Sequence, residues 1–269
     1  MKFITKLKLI LILFLPLQIQ SFDKQLESCV NNNFRKEANV ERDKYRHPLE
    51  TLSFFSLKKN MNVLEILPSR GWYTEIISSC LKDSGKLTVA SFGENHPNKY
   101  LQNIHNDFID YFSNNESKFG NIDIIDFKNN DGFLVTEPNT HDLVLTFRNN
   151  HNWVKANIID DVYDAIWKVL KTNGLLGVVQ HRAKAEEDYS SSHLNGYLPE
   201  TYLIKKIESK GFKLLGKSEI NKNGLDTKDH PKGVWTLPPV MRLGEVDKEK
   251  YLRIGESDRM TLKFIKVPK

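Results

Sequence analysis

Cysteine is scarce in this chain of 269 residues, where Cys29 and Cys80 are the only two. Two cysteines are too few for the dense disulfide framework of a small secreted domain. In an oxidising compartment they could form one bridge; otherwise Cys80 is a small buried residue and Cys29 a loosely held thiol. Spacing alone leaves both alternatives open. The spacing of Cys, His and carboxylate residues also lacks a metal-site signature, so no metal is expected.

A long apolar run is absent as well. Residues 9–17 are apolar apart from one proline, whereas a helix that spans a bilayer needs about 20 apolar residues. Lysines precede this run, and the small residue Ser21 follows it. This order predicts a signal peptide over residues 1–21, cleaved behind Ser21, with an uncleaved anchor as the alternative. We therefore expect an exported, periplasmic protein that meets the membrane only through this segment.

The chain also lacks a dense basic stripe. The first 21 residues hold three lysines and no acid, so the formal net charge falls from +5 to +2 without them. The other basic residues do not interleave with aromatic ones, which argues against nucleic acid as a partner. Residues 22–269 have an ordinary length for one α/β domain.

Short apolar segments bounded by turn residues alternate with helical periodicity along most of the chain. The predicted strands are residues 62–67, 86–91, 122–127, 143–147, 175–180, 212–218 and 261–267. Such alternation predicts an α/β fold with a doubly wound, mostly parallel seven-stranded sheet and helices on both faces. The last strand follows a long loop without a crossover helix, so we expect it to run antiparallel. Upstream, one amphipathic helix is expected over residues 40–57.

A compact turn follows the first predicted strand. Glu65 lies near the end of that strand, and Pro68 to Gly71 lead into a helical pattern. Ligands bind at the carboxyl ends of the strands in an open α/β sheet, and a glycine at a helix start lets the backbone approach a ligand closely. The alternative is a glycine that only the turn requires. The G-x-G-x-x-G spacing of nicotinamide dehydrogenases is absent.

Several strings of this sequence resemble bacterial proteins described as predicted, exported S-adenosylmethionine-dependent methyltransferases. The strings are residues 71–75, 146–149, 151–153, 177–183, 218–221, 233–239 and 254–264. The resemblance implies a class I methyltransferase-like domain that binds S-adenosylmethionine. It also implies transfer of a methyl group to an unidentified small molecule or envelope component.

The resemblance assigns the methionine part of the cofactor to the end of the first strand. Glu65 is similar to the family's acid at that position, and the turn from Pro68 to Gly71 is similar to the turn that faces the methionine. Ser69 departs from the pattern, because the family has glycine there. A side chain therefore stands where the closest backbone approach is expected, and weaker cofactor binding would follow.

The ribose and the adenine of this cofactor are expected at the next two strands. Glu94 is the nearest candidate for the acid that holds the ribose hydroxyls. Asp126 and Asn129, near the end of the third strand, are candidates for the adenine edge. For Glu94 the alternative is an exposed loop carboxylate.

Two histidines follow the fourth and fifth predicted strands. Methyl transfer needs a base only when the acceptor is protonated, and histidine suits that role because its pKa lies near neutral pH. His151 and His181 are therefore the candidate catalytic residues, with a loop hydrogen bond as the alternative. Arg148 and Arg182 lie beside them, where they could hold an acidic substrate or pair with local carboxylates.

The long loop before the last strand is expected to cover the pocket. Its candidate substrate contacts are Asn221, Asn223, Asp226, Trp235 and Arg259. The alternative function is a non-catalytic exported binding or scaffold protein on a methyltransferase fold. Ser69 and the uncertain ribose acid favour this alternative, as does the cytoplasmic origin of the cofactor.

Overall fold

A computed structural model describes residues 24–269. The predicted signal segment and its cleavage site lie outside these residues. The strands are β1 (Asn62–Ile66), β2 (Lys86–Ser91), β3 (Ile122–Asp126), β4 (Lys128–Asn129), β5 (Gly132–Phe133), β6 (His141–Phe147), β7 (Leu170–His181), β8 (Phe212–Ser218) and β9 (Arg259–Lys266). The strands β4 and β5 form a separate small hairpin.

The helices lie before, between and after these strands. They are α1 (24–30), α2 (Glu37–Val40), α3 (Asp43–Arg46), α4 (Pro48–Phe54), α5 (Thr74–Leu81), α6 (Lys99–Ser113), α7 (Glu116–Phe119), α8 (Asn150–Lys155), α9 (Ile159–Val169), α10 (Tyr189–Ser192), α11 (Glu200–Glu208) and α12 (Lys248–Ile254). Within residues 24–269, none of these helices is long and apolar enough to cross a membrane.

The seven-stranded sheet has the order β3-β2-β1-β6-β7-β9-β8. Neighbouring strands from β3 to β7 are parallel, and β9 runs antiparallel to both β7 and β8. Two clusters of buried apolar side chains pack the helices onto the sheet. The predicted doubly wound, mostly parallel sheet with an antiparallel last strand is confirmed.

The segment before β1 differs from the single helix predicted over residues 40–57. It forms the three short helices α2, α3 and α4, and the last two are separated at His47, which has a left-handed φ of 41°. Pro48 explains the break, because proline disfavours the helical conformation of the preceding residue and has no N–H to donate.

A disulfide joins Cys29 to Cys80, so the bridge is the alternative that the structure contains. It links α1 to α5 with a Cα–Cα distance of 5.4 Å. Further along, the Trp72 indole donates a hydrogen bond of 2.8 Å to the Asn39 carbonyl. The disulfide fastens α1 to α5, and the Trp72 bond fastens α2 to the start of the segment that follows β1.

Candidate functional site

A cavity of about 440 Å³ opens at the carboxyl ends of β1, β6 and β7. Its volume lies within the range of about 300–1,000 Å³ that is typical of small-molecule sites. The turn after β1, the start of α8 and the end of β7 form its walls. The long loop covers it with Trp235, Pro238 and Pro239. We call this space the central cavity.

Glu65 lies in the wall of the central cavity and is almost completely buried, with 1% of its surface exposed. Its carboxylate accepts a hydrogen bond of 2.7 Å from the Thr74 hydroxyl. Burial raises its pKa from 4.5 to about 7, although Thr74 and Arg148 oppose the shift. The carboxyl group therefore titrates near neutral pH.

The turn after β1 has the backbone of a glycine-rich turn with only one glycine in it. Leu67, Ser69 and Gly71 have φ values of 49°, 57° and 82°. A residue with a side chain costs roughly 1–2 kcal/mol in this left-handed region. Leu67 and Ser69 both border the central cavity. Strain of this kind is typical of functional sites.

Gly71 itself does not border the cavity. A Cβ atom at this position would fall on the ring of Phe112 in α6. Its N–H donates a hydrogen bond of 3.1 Å to the Pro68 carbonyl. The structure therefore corresponds to the alternative interpretation, in which this glycine is needed for the turn and for helix packing, whereas Pro68 does line the cavity.

A second cavity of about 590 Å³ lies between the ends of β2 and β3. We call it the edge cavity. Asp126 and Asn129 both line it, so these two predicted cofactor residues lie together. Glu94 is exposed and lines neither cavity. At the end of β2, the hydroxyl of Ser91 lies 2.9 Å from Nδ1 of His105.

His151 and His181 meet in the central cavity, with their ring centroids 5.7 Å apart. Nδ1 of His151 lies 3.2 Å from the Gln180 side-chain amide, and Nδ1 of His181 is hydrogen-bonded to the Ser257 hydroxyl. Burial lowers the pKa of His151 to about 4 and lowers that of His181 well below its usual value. Both imidazoles are neutral at neutral pH.

The two arginines predicted near these histidines have different surroundings. Arg148 borders the central cavity, and burial lowers its pKa to about 10, so it stays charged at neutral pH. Arg182 does not border the cavity. It forms ion pairs of 2.7 Å with Glu219 and 3.0 Å with Asp258, which is the alternative of pairing with local carboxylates.

Of the five loop residues predicted to contact substrate, Trp235 alone lines the central cavity. Asn221 is buried and donates to the hydroxyls of Thr51 and Thr261 at 3.0 and 2.9 Å. Its contacts fasten the loop to the sheet and to α4.

The remaining three loop residues have similar supporting contacts. Asn223 donates to the carbonyls of Ile254 and Glu256, and Asp226 accepts from the hydroxyl of Tyr197. Arg259 is buried behind the cavity, where it pairs with Glu256 at 3.1 Å. These side chains hold the loop in place because they bond to protein groups.

Arg42, Arg46 and Glu256, which form a cluster with the predicted Arg148 and Arg259, are the main residues that the sequence analysis missed. Arg42 and Arg46 pair with the Glu256 carboxylate at 2.7 and 3.0 Å, and both border the central cavity. Burial alone would raise the pKa of Glu256, but the surrounding arginines lower it to about 2. The sequence contains one signal for this cluster. Arg46 lies three residues before Leu49, so it falls on the apolar face of the helix predicted over residues 40–57.

No family model matches the chain, and no curated protein matches it. Solved structures do. A SAM-dependent methyltransferase from Aquifex aeolicus has a TM-score of 0.57 and 14% identity, with 94% of this chain and all of that chain covered. One from Methanosarcina mazei has a TM-score of 0.53 and 11% identity, with 81% of this chain and 97% of that chain covered. The 4+2 cyclase SpnF has a TM-score of 0.58 and 16% identity, with 93% of this chain and 95% of that chain covered.

The chain has the Rossmann-like fold of S-adenosylmethionine-dependent methyltransferases. One structure with this fold is named as a cyclase, which illustrates that the fold alone does not determine a reaction. The chemistry of this chain must therefore be argued from its own side chains.

Proposed function

We propose that this protein is an exported S-adenosylmethionine-dependent methyltransferase that acts on a small molecule or an envelope component. The observation that carries the proposal is the turn after β1. Its left-handed residues Leu67 and Ser69 border the central cavity beside the buried acid Glu65. Such a turn exposes backbone to a ligand at the edge where open α/β sheets bind their ligands.

The two cavities suit the two ends of this cofactor. Glu65 and the residues from Leu67 to Ser69 would hold the methionine portion in the central cavity. Asp126 and Asn129 would contact the adenine in the edge cavity. Glu94 lines neither cavity, so its loop would have to move for the carboxylate to reach the ribose.

The cofactor, when bound, supplies a methyl group bonded to a sulfonium sulfur, and that sulfur is a good leaving group. The protein has to align the acceptor and exclude competing nucleophiles. His151 and His181 are neutral and could accept a proton from a protonated acceptor, but their lowered pKa values make them weaker bases than the ordinary histidine that the sequence suggests. Trp235 and the prolines above the cavity limit the access of water.

Calorimetric titration of the folded protein with S-adenosylmethionine tests the proposal. Binding to the native state should also stabilise it, by about 2.7 kcal/mol at a hundredfold excess over the dissociation constant. Asp126→Asn should weaken binding. Asp123→Asn is the control, since Asp123 is exposed on the same strand and lines neither cavity. Neither heat nor a melting shift at millimolar cofactor would contradict the proposal.

The second candidate function is a non-catalytic binding or scaffold protein. Glu94 favours it, because the nearest carboxylate to the expected ribose site is exposed and away from both cavities. The same titration separates the two functions. A well-folded protein that binds no cofactor would support the scaffold.

Export is supported by the bridge between Cys29 and Cys80, because disulfides persist in oxidising compartments. The order of residues in the first 21 positions supports it as well. Mass spectrometry of the protein recovered from the periplasm should show a chain that begins behind Ser21. An intact Met1 start in the membrane fraction would count against cleavage.

A further inference from the structure

We propose that the arginine cluster of the central cavity binds an acidic group, a carboxylate or a phosphate, of the methyl acceptor. This cluster consists of Arg42, Arg46, Arg148 and Arg259 around Glu256. The inference rests on the proposed function and specifies its substrate class.

The cluster holds more positive than negative charge. Arg42, Arg46 and Arg259 share the single carboxylate of Glu256, at distances of 2.7, 3.0 and 3.1 Å. Arg148 has no ion pair with any residue in 24–269, although its charge interacts with Arg259 and Glu256. Four guanidinium groups therefore face one carboxylate, and buried charges are costly unless they are paired.

Two guanidinium groups also have buried nitrogens without an acceptor. Among residues 24–269, Nη1 of Arg46 and Nη1 of Arg148 have no hydrogen-bond partner. The Arg46 side chain is only 4% exposed, and both arginines border the central cavity. Buried polar groups in folded proteins are nearly always satisfied, so an acceptor from a ligand is the expected partner. A planar guanidinium binds carboxylate and phosphate oxygens well.

The charge of the cofactor points to the acceptor as the source of this group. S-adenosylmethionine carries a sulfonium, an ammonium and one carboxylate, so its methionine end adds positive charge to the cavity. The neutral imidazoles of His151 and His181 do not balance it. Even with Glu65 ionised, the cavity keeps an excess of positive charge, which an acidic acceptor would neutralise.

Inorganic phosphate is the probe, added at constant ionic strength against chloride. We expect phosphate to raise the melting temperature and to tighten the binding of S-adenosylmethionine, by about fivefold or more if the coupling is of ordinary size. Competition, in which phosphate weakens cofactor binding, would overturn the inference, because the cluster would then bind the cofactor's own carboxylate.

The remaining outcomes separate this inference from the proposed function. Cofactor binding without any response to phosphate would overturn the inference alone. A phosphate response without any cofactor binding would overturn the proposed function and, with it, the assignment to a methyl acceptor.

Arg148→Gln is the sharpest variant, because Arg148 has no ion pair in the described part of the chain whose loss would destabilise the fold. This variant should bind phosphate at least tenfold more weakly. Its melting temperature in the absence of phosphate should not be lower than that of the wild type. Arg182→Gln is the matched control, since Arg182 is paired with Glu219 and Asp258 outside the cavity. It should lower the melting temperature and keep the phosphate response.

Arg42→Gln, at a side chain 23% exposed, gives a second independent reading. An unchanged phosphate response in both Arg148→Gln and Arg42→Gln would overturn the inference.

Discussion

The β2–β3 half of the carboxyl edge and its β6–β7 half are lined by different kinds of residue. The edge cavity is lined by exposed polar side chains at strand ends, such as Asp126 of β3 and Asn129 of β4, and by apolar side chains such as Phe127. The central cavity is lined by the buried titratable groups Glu65 and His151, by the half-buried His181, and by three arginines of the cluster, Arg42, Arg46 and Arg148.

This difference indicates where the structure is specialised. Exposed polar residues cost little folding free energy, and they suit a ligand that is recognised mainly by its shape and by hydrogen bonds. Buried charges destabilise a protein unless they are paired. Several of them in one cavity therefore indicate that the function of the cavity requires these charges. The β6–β7 half is therefore where we expect selection among acceptors.

Glu256→Gln should have the largest effect, because it leaves the buried guanidinium groups of Arg46 and Arg259 without their carboxylate. Breaking a buried ion pair from one side costs about 3–5 kcal/mol of unfolding free energy. Chemical denaturation would measure the loss. Glu245→Gln is the control, because Glu245 is 87% exposed and should change stability by less than about 0.5 kcal/mol. Equal stability of both variants would show that these pairs contribute little.

Removal of the disulfide should have the next largest effect. Replacing Cys29 and Cys80 by serine opens a loop with a sequence separation of 51 residues, and such bridges typically contribute about 2–4 kcal/mol. Urea unfolding with and without reductant checks the stability. A wild-type protein whose midpoint ignores reductant would contradict the prediction.

The pH dependence of stability should reveal two buried groups with opposite slopes. The pKa of Glu65 is raised from 4.5 to about 7, so its contribution to stability is lost as pH rises through that window. The pKa of His151 is lowered from 6.5 to about 4, so its contribution is lost as pH falls through its own window. The two slopes oppose each other between pH 4.5 and 6.5 in the wild type.

Single variants separate these slopes. In Glu65→Gln the unfolding free energy should rise by about 2 kcal/mol from pH 5 to 6.5, since each pKa unit corresponds to about 1.4 kcal/mol. In His151→Asn the rise should be smaller, because Glu65 then opposes the remaining slope of His181, whose pKa burial also lowers. Denaturant titrations at several pH values measure both. Identical pH profiles of the unfolding free energy in the two variants would contradict the opposite slopes assigned to Glu65 and His151.

Much of the fold was predictable because short apolar strands and turn residues are local signals. The predicted strand 212–218 coincides with β8 (Phe212–Ser218). The start of the fifth strand was less predictable, because the pattern placed it at residue 175. In the structure α9 ends at Val169, β7 begins at Leu170, and the register of β7 with β6 is irregular there.

The site was predictable only where topology fixes position. Residues that directly follow strands, such as His151 and His181, were expected at the carboxyl edge and lie together there. Arg46 and Glu256 come from segments outside the alternating pattern, 210 positions apart in sequence. Their meeting depends on tertiary packing, which has no periodic signal in the sequence.

The smallest expected effect concerns the turn that joins the two halves. Ser69 has a left-handed φ of 57° and borders the central cavity. Ser69→Gly should raise the unfolding free energy by about 1 kcal/mol, because glycine adopts this conformation without the penalty of a Cβ. It should also tighten cofactor binding, since the backbone could then approach the ligand more closely. Ser56→Gly is the matched control: Ser56 has a φ of 60° but borders neither cavity. The control should gain less stability, because it loses a hydrogen bond of 3.3 Å from Lys263, and should leave the calorimetric dissociation constant unchanged. Equal changes in affinity for both variants would show that the turn after β1 does not contact the cofactor.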